Sequence, residues 1–175
     1  MSIEIRRLNT LDPEQLSQLS HVLVDCVEGG ASVNFVWPFN EQEARGFWER
    51  LLPEVQAGTR VLLVAQDAGR IVGTVNLALC WQPNQPHRAE VTKLLVERSA
   101  RRKGVAKLLM QEIERVAKQA GRSLLTLDTE EGGAGEHLYE ALGWTRLGVI
   151  PNFALGTYGG LLGATFFYKQ VATVR

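Results

Sequence analysis

Arg98, Arg101, Arg102, Lys103 and Lys107 put five cations into ten residues with no acid among them. The patterning on either side sets this segment between an apolar strand ending at Val96 and a helix starting near Gly104. A helix N-terminus has free main-chain N–H groups and a partial positive charge. Cations there are unfavourable for the helix alone, because its dipole prefers acids. They make physical sense when an anion occupies the turn. Gly104 lets the backbone approach a ligand closely, and Ala106 keeps the first turn small. The anion expected is a phosphate or pyrophosphate. Charge alone leaves a second reading open, a solvated basic turn.

Two other phosphate-binding patterns fail. The P-loop pattern G-x-x-x-x-G-K-[ST] is not in the sequence. The stretch Gly133-Ala134-Gly135-Glu136-His137-Leu138 has two glycines of a dinucleotide fingerprint but not the third. Asp128, Glu130 and Glu131 beside it would repel a pyrophosphate.

The elements that must position the basic turn follow from periodicity and punctuation. Residues 3–8 alternate as a strand. Asp12 and Pro13 start a helix carrying Leu16, Leu19, Leu23 and Val27, which Gly29 and Gly30 stop. Asn40 caps a second helix with Phe47, Trp48, Leu51 and Leu52; Pro53 is expected to kink or break it, and Gly58 to mark its end. Val61–Gln66 and Ile71–Cys80 form a hairpin with a four-residue loop, Asp67-Ala68-Gly69-Arg70. Glu90–Val96 is a strand. Gly104–Ala120 is the clearest helix, with Val105, Leu109, Ile113, Val116 and Ala120 on one stripe. A strand at Leu124–Asp128, a helix at Ala134–Leu142 and strands at Thr145–Phe153 and Leu161–Gln170 complete the chain. The order βααβββαβαββ predicts a single α/β (α+β) domain across residues 1–175, with a mixed, mostly antiparallel sheet flanked by helices.

Composition narrows the function classes. With 45% apolar residues and 22% charged, the 175-residue chain can bury a core. Nineteen basic and nineteen acidic residues cancel, which argues against a nucleic-acid or anionic-membrane binder. Cys26 and Cys80 are too few for a disulfide scaffold or a thiolate metal site, and His21, His87 and His137 lack ligand spacing; no metal is expected. The uncharged run Leu147–Tyr168 holds five glycines and Pro151, unlike a membrane span, and reads as two core strands and a turn. The start of the chain has no secretory apolar segment, so a cytoplasmic location is expected.

Arg101-Arg102-Lys103-Gly104-Val105-Ala106 resembles the Q/R-x-x-G-x-G/A signature of the GNAT N-acetyltransferase superfamily. Leu138-Tyr139-Glu140-Ala141-Leu142-Gly143-Trp144 is similar to that family's L-Y-E-x-L-G-F/W ending. Gly29-Gly30-Ala31-Ser32-Val33, Arg88-Ala89-Glu90-Val91-Thr92-Lys93-Leu94 and Leu127-Asp128-Thr129-Glu130 look like the tabtoxin-resistance type of small-molecule acetyltransferase. The resemblance implies acetyl-CoA as co-substrate. It implies that Arg101, Arg102, Lys103, Gly104, Val105 and Ala106 bind the pyrophosphate, and that the pantetheine arm runs along Leu94, Leu95 and Val96. Glu90 is then the first candidate for the general base and Asp128 the second. An ordinary ion pair of Glu90 with Arg88 or Lys93 is the alternative. Tyr139 is the candidate general acid, against a purely core role. The family often has Asn seven positions before this tyrosine, where this chain has Gly132. The glycines of 132–135 suggest a flexible approach to the following helix.

The chemistry required is plain. An alkyl amine has a pKa near 10.4, so deprotonating it at pH 7 costs roughly 4–5 kcal/mol. A carboxylate, directly or through water, can take that proton. No cysteine sits beside a base, so direct attack is expected rather than an acyl-enzyme. By analogy with the fold, Ser32, Asn34, Phe35, Trp37 and Trp81 lie near the acceptor, and residues 147–168 form the other wall. Five acids between Asp128 and Glu140 would attract a cationic amine if they border the pocket, or are a solvated face. The expected reaction is transfer of acetyl to a primary amine of a small, amino-acid- or antibiotic-like molecule. A protein or peptide acceptor, a longer acyl donor and a non-catalytic acyl-CoA sensor are the rivals. A homodimer through the 145–170 strands is the expected assembly by analogy.

Overall fold

In the computed structural model, which describes residues 3–172, the chain runs β1 (Ile3–Leu8), α1 (Pro13–Glu28), α2 (Glu41–Gln56), β2 (Arg60–Asp67), β3 (Arg70–Leu79), β4 (Arg88–Val96), α3 (Val105–Gln119), β5 (Leu124–Glu130), α4 (Ala134–Ala141), β6 (Thr145–Leu155) and β7 (Leu161–Gln170). A 3-10 turn at Arg98–Ala100 precedes α3. The order matches the expected one.

Local chemistry explains the helix starts. Asp12 accepts from the Gln15 main-chain N–H while the Gln15 side chain accepts from the Asp12 N–H, a reciprocal cap on α1. Asn40 and Glu43 do the same for α2. Pro53 does not end α2: the helix continues to Gln56, because Leu51 and Val55 on either side of it are anchored in the core. The β2–β3 loop is two residues shorter than expected. Asp67 pairs with Arg70, leaving Ala68 and Gly69, both at positive φ, as the turn.

Seven strands form one sheet in the order β1-β2-β3-β4-β5-β7-β6. β4 and β5 are parallel; the other neighbours are antiparallel. Alternation sends Leu62 and Val64 to a core with α1 and α2, and Val61, Leu63, Val75 and Leu77 to a core with α3. The reading of residues 147–168 as two core strands needs correcting. β7 buries Ala164, Thr165 and Phe167, but β6 is an edge strand with Leu147, Ile150, Phe153 and Leu155 exposed.

Two irregularities interrupt the sheet. β4 and β5 pair only at Arg88–Leu124, Ala89–Leu125 and Glu90–Thr126. Beyond that rung β4 runs to Val96 and β5 to Glu130 without pairing, which opens a split in the sheet. The second is a bulge in β4: the register against β3 shifts between Thr92 and Leu95, and Lys93 takes a left-handed φ of 53°.

Candidate functional site

Arg101 to Gly104 are exposed, and Gly104 caps α3 in the left-handed conformation at φ 80°. No side chain caps α3, so its first N–H groups have no side-chain acceptor. A Cβ at Gly104 would meet nothing within 4 Å, leaving space over the turn. This geometry suits an anionic group held by main-chain N–H donors. The cations themselves are largely committed to building the turn. Arg98 is tied to Asp25 at 2.8 Å and also to Glu28. Arg101 Nε donates to Val96 O at 3.1 Å, and Lys103 Nζ donates to Ser99 O at 2.7 Å. Arg98 is therefore already paired within the protein, and the turn offers main-chain donors more than the free charge its sequence suggested.

The split between β4 and β5 leads away from this turn. Leu94 and Val96 pack toward α3, whereas Leu95 is buried on the α1/α2 side. Along Val91–Val96 the β5-facing edge of β4 has no strand partner, so an extended chain can add there as a strand does. The Asn position that the resemblance expects is Gly132, at φ 72°. Gly135 is not a source of slack: a Cβ there would lie 2.7 Å from Thr129 Oγ1, so glycine is needed for close packing.

On the α1/α2 face a pocket of about 400 Å³ opens beside β4. Glu90, Thr92, Lys93, Ala78 and Arg60 form its sheet side; Phe47, Arg50, Leu51 and Glu54 of α2 and Asn34 close it. The bulge is why Thr92 and Lys93, though consecutive, both line it. Lys93 Nζ lies 5.8 Å from the Phe35 ring and 5.6 Å from the Phe47 ring. Burial pulls the Lys93 pKa down, as does Arg60, while Asp128 and Glu90 oppose the drop. Asn76 lies across from Thr92, is fully buried, and leaves both amide atoms unpartnered.

Thr126, opposite Glu90, fixes the facing of β5. By alternation Asp128 lies on the same face as Glu90, across the split. Asp128 is exposed as a residue, yet desolvation on its protein side raises its carboxyl pKa, and Lys93 partly offsets this. Tyr139 is buried on the opposite side against Trp144 and Phe167, with ring centroids 6.1 and 5.7 Å away. Burial, and then the Asp128 charge, push its phenol up to about 12. A neutral phenol beside the split can donate a proton to a leaving thiolate.

Of the expected acceptor residues, Asn34 lines the pocket and Phe35 packs on Phe39, Phe47 and Lys93. Ser32 is half-buried and is not among the lining residues. Trp81 is 82% exposed in the β3–β4 loop and does not line the pocket either. The β6–β7 turn contributes nothing to the lining, but it fastens the α1–α2 loop: Thr157 O accepts from Trp37 N at 2.8 Å, and Thr157 Oγ1 donates to Ala31 O at 2.9 Å. Sequence reasoning missed Arg50, Glu54 and Arg60, whose helical and strand contexts read as ordinary surface charge. Among the described residues, no group of three or more His, Cys, Asp or Glu is placed to hold a metal ion, and no helix is long and apolar enough to cross a membrane.

The family described as Acetyltransferase (GNAT) matches residues 25–144, from α1 through the Trp144 that follows α4. The chain belongs to the GNAT acetyltransferase family. As a member of it, this acetyltransferase takes acetyl-CoA as acyl donor. It is 29% identical over 133 residues to an uncharacterized N-acetyltransferase from the hisH-hisA intergenic region of Azospirillum brasilense, covering 74% of this chain and 76% of that one. An N-acetyltransferase from Staphylococcus aureus Mu50 superposes with a TM-score of 0.80 at 19% identity, over 97% of this chain and 99% of that one. YncA of Salmonella typhimurium, solved with acetyl-CoA, gives 0.74 at 18% identity over 97% and 94%. These structures share the acetyltransferase's fold.

Proposed function

We propose that this acetyltransferase transfers acetyl to a primary amine of a small molecule, with both substrates bound together. The observation that carries the reading is the meeting of three features at one place. The sheet splits after Glu90, a pocket of about 400 Å³ opens on the Glu90 face, and an uncapped helix start lies at the end of the split strand. A cavity of this size suits a small molecule, within the range of roughly 300–1,000 Å³ typical of ligand sites.

Acetyl-CoA supplies an activated acyl group on a thiol that departs with modest help. The N–H groups of Arg102, Lys103, Gly104, Val105 and Ala106, with Arg101 beside them, hold the pyrophosphate. The free edge at Leu94, Leu95 and Val96 aligns the pantetheine arm, and its N–H groups polarise the thioester carbonyl. Glu90 takes the amine proton, directly or through water, and Asp128 across the split holds the incoming ammonium. Tyr139 returns a proton to the sulfur. Such acid–base help is worth about 10²–10⁴-fold in rate. The apolar edge of β6 supports a homodimer through that strand.

The test is a thermal-shift titration with acetyl-CoA, with ATP and NAD as controls, followed by an amine screen for thiol release. Ligand at a hundred times its Kd stabilises by about 2.7 kcal/mol, a shift of roughly 5–10 °C for a chain of this size. A shift confined to acetyl-CoA and turnover of small amines are expected. Turnover of peptides in preference to every small amine would overturn the acceptor assignment.

A further inference from the structure

We infer that the acceptor is a zwitterion, a small amine bearing a carboxylate, with Glu90 facing its ammonium and Lys93 and Arg50 facing its carboxylate. The inference rests on the acetyl-transfer reading above and deepens it. Its basis is the charge pattern of the pocket. Five charged residues line it: Arg50, Arg60, Lys93, Glu54 and Glu90. Arg60 and Glu54 satisfy each other at 2.8 Å, and Arg60 also reaches Thr92 Oγ1 at 3.3 Å. Among the described residues, Arg50, Lys93 and Glu90 have no ion-pair partner. The pocket therefore presents two cations and one anion without a salt bridge among the described residues, with the charges of Glu90 and, across the split, Asp128 acting on Lys93 from a distance.

Lys93 is the decisive member. Its ammonium offers three donors, yet no described residue accepts a hydrogen bond from it. It is half-buried, held by two aromatic faces, and placed there by a left-handed residue in the middle of a strand. A left-handed non-glycine costs free energy, and a partly desolvated cation costs more unless it meets an anion. Both costs are offset when a carboxylate sits on Lys93. The lowered pKa of Lys93 agrees with this, since a bound anion would restore it.

The pattern also says what the pocket rejects. A polyamine would set a second ammonium against Lys93 and Arg50. A neutral amide would leave both cations unmatched. Specificity of this kind comes from the groups left unpaired with the wrong ligand.

The experiment compares kcat/KM for free L-amino acids, their amides and spermidine by thiol release, with acetyl-CoA binding followed separately by thermal shift. The expected result is an acid preferred over its own amide by about tenfold or more, the worth of one charge-assisted hydrogen bond. Lys93→Met should reduce that acid-to-amide ratio toward one. Arg50→Gln, at an exposed position where folding is not at stake, should lower the ratio as well. An amide or spermidine used as well as any acid overturns the inference, as does an equal loss for acid and amide in both variants. When acetyl-CoA still binds in those cases, the acetyl-transfer reading stands. Absence of any acetyl-CoA shift, with no amine turned over, removes both.

Discussion

Thr126 stands directly opposite Glu90 in the last rung at which β4 and β5 remain paired. Past this rung the strands separate, and the residues proposed for acyl transfer lie around the apex. Asp128 is two residues on along β5, Lys93 is three residues on along β4, and Tyr139 lies behind β5 on the other face. The parallel pairing of these two strands thus sets where the split opens and which side chains flank it.

Glu90→Gln keeps the shape of the side chain and removes its basicity. With Glu90 as base, kcat at neutral pH falls by roughly 10²-fold or more, while acetyl-CoA affinity stays within about twofold. The same pair of measurements on Asp128→Asn ranks the two carboxylates. An undiminished kcat in Glu90→Gln would remove Glu90 from the mechanism.

Gly104→Glu places a carboxylate over the anion seat. A Cβ there meets no atom within 4 Å, so the cost to folding is confined to the strained φ of 80°, about 1 kcal/mol. The variant should remain folded by circular dichroism and lose its thermal shift with acetyl-CoA. Retained affinity would dismiss the pyrophosphate assignment.

Tyr139 carries a pH signature. Its folded pKa of about 12 exceeds the ordinary value of 10.0. Its contribution to stability is therefore complete below pH 10 and is lost as pH rises toward 12, by about 2–3 kcal/mol. Tyr139→Phe should flatten that alkaline loss in denaturant titrations. It should also lower kcat at neutral pH by about tenfold or more if the phenol protonates the sulfur. A flattened curve with unchanged kcat would reduce Tyr139 to a core aromatic.

Asp25 shows the opposite sign. Burial raises its pKa, but the Arg98 main-chain N–H at 2.7 Å and the guanidinium at 2.8 Å outweigh this and hold the carboxyl below its usual value. The stabilisation is full above the ordinary carboxylate range and is lost as pH falls through the lower folded value. Asp25→Asn should cost about 1–3 kcal/mol at neutral pH, and its acid unfolding should be correspondingly less steep. Because this pair joins α1 to the turn before α3, the acetyl-CoA shift should shrink as well. Stability equal to that of the parent at pH 7 would show that the pair is not needed to hold the turn.

Much of the molecule was legible without coordinates, because the signals act over a few residues. Asp12 with Gln15 and Asn40 with Glu43 encode their helix starts within one turn, and the Val105–Val116 stripe encodes the face that α3 buries. The glycine at the start of α3 was legible for the same reason, since the cap geometry is local. Where local signals misled, a distant contact outweighed them. Pro53 is carried inside α2 by the buried Leu51 and Val55, and the apolar run of β6 lies on an edge with no strand beyond it. Arg98 counted among the five cations of the turn until α1 brought Asp25 and Glu28 to it.

Only tertiary structure assembled the pocket beside β4. Its walls come from positions 34, 47–54, 60, 78 and 90–93, segments that meet because the sheet register and the α2 docking bring them together. The bulge at Lys93 turns an inward–outward alternation into two consecutive pocket residues. Which charges cancel, Arg60 with Glu54, and which have no salt bridge among the described residues, Lys93, Arg50 and Glu90, depends on ångström-scale distances between elements. The sequence by itself determined the elements and their caps, since hydrogen bonds and dipoles within four residues suffice for those. Tertiary structure alone decided the shape and charge of the pocket beside β4, because non-local packing selects the register, the split and the bulge.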